Sequence, residues 1–262
     1  MNNAKRNKRI QRLVTAQADC YNERMKDVLT DFSSRLKELF GNDLLTVALY
    51  GSAARGTFRK NVSDINVLVL LENSSPLKIF EMGRVIKPFL RKYRLNPRVM
   101  TREEFVSSAD VFPLEYGDIK DAHEIIYGDA EILNIDLRHA HLRYEVEEKI
   151  RGAVGDMRYL ILASGGNEKT LAKLLALWSG LCGTIFRGLL RLKKVDNIPA
   201  DTDALLQRIS AEYKVPLDGF AALERFKRGE KTSAIELAES LLNPLKALAR
   251  IVNEMPVQSG EQ

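Results

Sequence analysis

The sequence predicts an α/β half built on a small mixed sheet, followed by an all-helical half. Three observations predict it. Short apolar runs bounded by glycine or polar loops alternate with helix-spaced segments as far as Gly128. From Asp136 onward the apolar positions follow helical spacing alone. A chain of 262 residues, 45% apolar and 29% charged, can bury a core in each half. The organisation expected is a basic N-terminal arm over residues 1–16, an α/β domain over 17–133 and a helical bundle over 134–262.

The elements follow in order. Val28, Leu29, Phe32, Leu36, Leu39 and Phe40 mark one face of a helix over about 17–40, and Gly41 ends it. Leu44–Tyr50 is an apolar run of strand formers closed by Gly51-Ser52, and Ile65–Leu71 is a second. Ser74 or Ser75 caps a helix with Pro76 in its first turn, running to about Tyr93. Pro97–Met100 reads as a third strand, and Thr101-Arg102-Glu103-Glu104 spells a capping box. His123–Gly128 reads as a last short strand. In the helical half, one helix spans about 136–163 and a second spans about 168–194, apolar nearly all round. Shorter helices start near Asp201 and Asp218. The last opens with the capping box Ser233–Glu236 and contains Pro244.

Charge and thiols narrow the setting. Lys5, Arg6, Lys8, Arg9 and Arg12 account for the whole formal net charge of +5, so the rest of the chain is balanced. That balance argues against a nucleic-acid partner, and the arm reads as a solvated terminus. Cys20 and Cys182 match no metal spacing and fit a reducing compartment. No apolar stretch follows the basic N-terminal run, and Leu171–Phe186 is interrupted by Lys173. The expectation is a cytoplasmic protein with no membrane partner.

One ordered set carries chemistry: strand, Gly51-Ser52, then Asp64-Ile65-Asn66 opening the next strand. Gly51 lets the backbone turn close to a phosphate, and Ser52 offers a hydroxyl and an N–H. Residues 64 and 66, two apart, point to one face. Arg55, Arg59 and Lys60 lie in the loop between as candidate triphosphate contacts.

Tyr50-Gly51-Ser52-Ala53-Ala54-Arg55-Gly56 followed by Ser63-Asp64-Ile65-Asn66-Val67-Leu68-Val69 resembles the nucleotidyltransferase superfamily of the DNA polymerase β fold. It resembles the kanamycin-type and small bacterial members closely. The resemblance implies an NTP as substrate or ligand, Mg²⁺ as cofactor, a phosphate cradle at Gly51 and Ser52, and Asp64 as catalytic metal ligand. It also implies a helical half that presents the acceptor. Where the superfamily has its second carboxylate this chain has Asn66, an uncharged and weak metal ligand. The third acid is expected near Arg98 or Met100, and neither is acidic. Glu115, Asp118 and Glu145 are acids elsewhere that no spacing rule singles out.

His123, His139 and His141 form no metal spacing, and the stripe Leu171, Leu174, Trp178, Leu181, Ile185 and Leu189 reads as core. Two functions stay open: transfer of a nucleoside monophosphate from an NTP to a hydroxyl of a small molecule or protein, or a degenerate module that binds or regulates.

Overall fold

The computed structural model describes residues 24–58, 63–130, 133–178 and 182–256. The basic arm and Cys20 lie outside the described residues. The described residues form two compact units: 24–54, 58, 63–105 and 123–130 make the first, and 55–57, 106–122, 133–178 and 182–256 the second.

The first unit is a four-stranded sheet in the order β3-β2-β1-β4, with helices α1 (residues 24–40) and α2 (Pro76–Tyr93). The strands are β1 (Leu44–Tyr50), β2 (Ile65–Leu71), β3 (Leu95–Thr101) and β4 (His123–Gly128). β1 pairs antiparallel with β2 and with β4, while β2 and β3 run parallel, so the sheet is mixed as the sequence predicts. A parallel neighbour needs a crossover, and α2 supplies it. Its start is set by Ser75, whose hydroxyl accepts the Lys78 N–H, and by Pro76 in the first turn. β2 is buried at every position except Asn66, so the strand lies under side chains on both faces and opens only at its N-terminal end. Leu29, Phe32 and Leu36 of α1 and Met82, Ile86 and Phe89 of α2 share one core with the sheet. The capping box after β3 forms in full: Thr101 N–H donates to Glu104 Oε2 at 2.7 Å, and Glu104 N–H to Thr101 Oγ1 at 3.1 Å. Those two bonds open α3 (Arg102–Ser107).

The second unit is helical. α4 (Pro113–Asp121) falls between β3 and β4 in the chain but packs here, against α5 (His139–Ala163) and α7 (Cys182–Leu192). α6 (Glu168–Leu177), α8 (Thr202–Tyr213), α9 (Asp218–Lys227) and α10 (Ala234–Glu254) complete it, around a core that includes Leu142, Val146, Ile150, Leu189, Leu241 and Leu248. The single helix expected over 168–194 is two. Trp178 leaves the helical region with ψ 98°, and its N–H bonds Leu174 and Leu175 carbonyls to close α6. α5 begins at His139 rather than Asp136. The Ser233 cap forms, but a residue of another helix completes it: Glu168 Oε1 accepts the Ser233 hydroxyl at 2.7 Å and the Ala234 N–H at 2.8 Å. Among the described residues no helix is long and apolar enough to cross a membrane.

Candidate functional site

In the first unit, β1 ends at Tyr50 and the chain turns through Gly51, whose φ of +77° is a conformation that side chains disfavour. A Cβ at residue 51 would stand 3.0 Å from Asn66 Nδ2, so glycine also allows the turn to lie directly on the Asn66 amide. Ser52 is half-buried in the same turn. Asn66 pairs in register with Tyr50 of β1 on one side and with Asn96 of β3 on the other.

That register decides what stands beside the candidate carboxylate. Asn96 Nδ2 donates to Asn66 Oδ1 at 3.0 Å, which leaves the Asn66 Nδ2 end turned to Gly51. Asp64, just before β2, is 52% exposed at its side chain and accepts two bonds on Oδ1, from Arg94 Nε at 2.9 Å and Nη2 at 2.8 Å. Arg94 ends α2 in the left-handed region, φ 55° and ψ 36°, and its carbonyl accepts the Ile65 N–H at 3.1 Å. The guanidinium therefore comes from a backbone tied to the first residue of β2. Of the positions where a third acid is expected, Arg98 directs its Nε to Met100 Sδ at 3.4 Å, and the residue that pairs with Asn66 on β3 is a second amide, Asn96.

Mg²⁺ asks for octahedral oxygen ligands and is held by carboxylates. Residues 64, 66 and 96 offer one carboxylate and two amides, and the carboxylate already carries a guanidinium. Among the described residues no three His, Cys, Asp or Glu side chains are grouped to hold a metal. The donor set does not fit a pair of divalent ions.

The second unit takes Arg55 and Asp118. Asp118 sits on α4 with its side chain 10% exposed, ringed by three guanidiniums: Arg187 Nε at 2.9 Å and Nη2 at 2.6 Å, Arg55 Nη2 at 3.2 Å, and Arg191 Nη2. Arg55 Nη2 also donates to the Asp118 carbonyl at 2.9 Å, and Arg191 bridges to Asp121. Burial alone pushes the Asp118 carboxyl up, but the Arg187 hydrogen bonds and the charges of Arg187, Arg191 and Arg55 hold it below the usual range. Arg55, 7% exposed, thus has its guanidinium committed within the protein. Asp118, one of three unplaced acids in the sequence, is the centre of an ion cluster. Glu145 Oε2 accepts the Leu114 N–H at 2.8 Å and caps α4; burial raises its pKa. Glu115 is half-buried on α4. Arg59 and Lys60 lie outside the described residues.

Sequence reasoning missed Arg94 and Asn96. The only local signal was position: Arg94 ends α2 and Asn96 falls at the start of the strand that a parallel pairing brings beside β2.

Residues 29–126 match the nucleotidyltransferase domain family. A Methanocaldococcus jannaschii protein, named as a candidate protein adenylyltransferase, is 29% identical over 107 residues, which span 39% of this chain and 71% of that protein. The solved spectinomycin adenyltransferase of Enterococcus faecialis, with ATP and spectinomycin, is 16% identical at a TM-score of 0.49, over 82% of this chain and 97% of that one. A toxin–antitoxin structure with AMP-PNP is 16% identical at a TM-score of 0.29, over 40% of this chain and 77% of that one.

Proposed function

We infer that this chain, whose residues 29–126 are a domain of the nucleotidyltransferase superfamily, moves an adenylyl group from ATP to a hydroxyl of a protein or small molecule. The observation that carries the reading is the turn at Gly51, set by its positive φ directly on Asn66 at the start of β2, two residues from Asp64. A nucleotide-cradling turn needs backbone N–H groups near an open edge, and β2 is open only there. Gly51 and Ser52 hold the phosphates. The acceptor oxygen forms a bond to the α-phosphorus, the bond from that phosphorus to the β-phosphate bridging oxygen breaks, and pyrophosphate leaves with the proton passing to solvent. The identity with a protein adenylyltransferase candidate supports ATP as donor and a protein hydroxyl as acceptor.

The test is incubation of the full chain with ATP labelled at the α-phosphate, with a cell extract and with small alcohols as acceptors. Label joined to a protein or alcohol, with pyrophosphate released, is the expected outcome. Binding of ATP with no transfer to any acceptor supports the second reading, a nucleotide-holding module, which the pairing of Asp64 with Arg94 favours. No binding at all refutes both.

A further inference from the structure

The charge at the open end of β2 differs from what a metal-dependent nucleotide site requires. Asp64 is the one carboxylate among these four side chains and already has Arg94 as its counter-ion, while Asn66 and Asn96 are neutral. A site built for two divalent ions carries excess negative charge, which the ions neutralise before a triphosphate can approach. Here nothing needs neutralising.

We infer that this site takes the triphosphate without a divalent ion, using the Arg94 guanidinium, held by Asp64, as its standing cation. The inference rests on the nucleotide reading above and deepens it. Three observations converge on it. Arg94 is fixed at both ends: its carbonyl accepts the Ile65 N–H, and its Nε and Nη2 both donate to one oxygen of Asp64. A guanidinium is a permanent charge with planar donors that match phosphate oxygens. Asn66 has its oxygen taken by Asn96, so the end against Gly51 is an N–H₂ donor. An aspartate there would set a carboxylate oxygen against the phosphate turn and would repel an anion unless a metal intervened. Asparagine removes the repulsion and adds a donor. Asn96 is the partner that fixes that orientation, because its own Nδ2 gives the bond to Asn66 Oδ1. The two amides are thus one device, in register across parallel strands thirty residues apart in sequence.

Calorimetry of the full chain with AMP-PNP, in Mg²⁺ and in EDTA, tests this. The parent should bind with dissociation constants within about twofold of each other in the two buffers. Arg94→Ala should weaken binding by about tenfold or more in both, the loss expected for a charge-assisted bond, and Arg94→Lys should recover part of it. Circular dichroism confirms that each variant is folded. In parallel, Mn²⁺ binding followed by electron paramagnetic resonance should be absent in the parent. It should appear in the double variant Asn66→Asp, Asn96→Asp, which sets two further carboxylates beside Asp64. A parent that binds AMP-PNP tenfold more tightly with Mg²⁺, or binds Mn²⁺ in a manner lost in Asp64→Asn, overturns the inference and leaves the nucleotide reading standing. Absence of AMP-PNP binding in both buffers removes both.

Discussion

Asp118→Ala should be among the most destabilising single changes in the helical unit. The carboxylate faces three guanidiniums whose side chains are 7%, 16% and 10% exposed, for Arg55, Arg187 and Arg191. Removing it leaves three largely buried cations, and the neighbouring carboxylate Asp121 is already held by Arg191. Breaking a buried pair by deleting one partner costs about 3–5 kcal/mol. Two cations about 5 Å apart at an effective dielectric near 20 repel by about 3 kcal/mol, so the uncompensated pair sets a similar scale. Exposure is too low for water to screen most of that. The expected loss is about 4 kcal/mol, or roughly 8–16 °C in Tm for a unit of this size. Urea unfolding followed by far-ultraviolet circular dichroism measures it. The comparator is Asp64→Ala, whose partner Arg94 is half-exposed and whose loss should stay below about 1 kcal/mol. The reasoning fails if Asp118→Ala loses no more than that comparator. It also fails if Asp118→Asn, nearly isosteric, keeps full stability, because the claim concerns charge and not shape.

Other outcomes follow from the same geometry. The folded pKa of Asp118 lies below its unfolded value, so its contribution is full above the ordinary carboxylate range near 4 and is lost as pH falls through the folded value. Urea midpoints should therefore be insensitive to this group from pH 8 to 5 and fall below about pH 4, and Asp118→Asn should flatten that acid limb. Gly51→Ala should cost about 1–2 kcal/mol from the positive φ and lower AMP-PNP affinity beyond what thermal stability explains, since its Cβ meets the Asn66 amide; unchanged affinity would show that the turn does not touch phosphate. Gly219→Ala should destabilise by roughly 2–3 kcal/mol despite alanine's better helix propensity, because its Cβ would come within 2.4 Å of the Ser240 carbonyl oxygen where α9 meets α10. A thermal melt equal to the parent would mean that the two helices part at little cost.

What the residues determined by themselves were features closed within a few positions of chain. Leu44–Tyr50, Ile65–Leu71 and His123–Gly128 are short apolar runs ended by glycine or polar turns, and each is a strand with those bounds. Ser75 and Thr101 sit three residues from their hydrogen-bond partners, so their caps were legible as spelling. Gly51 was marked by its place after a strand, and its φ bears that out. α4 was not legible, because Pro113, Leu114 and Tyr116–Ile119 are buried around the whole helix and leave no polar stripe. The Glu168 bond to Ser233 and Ala234 was hidden for another reason: sixty-five residues separate its partners. The site shows the same division. The Asp64 and Asn66 pair was visible as a motif, while Arg94, Asn96 and the commitment of Arg55 to Asp118 were decided by tertiary structure. A side chain's charge is written in the sequence, but the charge that faces it depends on strand register and helix packing, which act across thirty to seventy positions of chain.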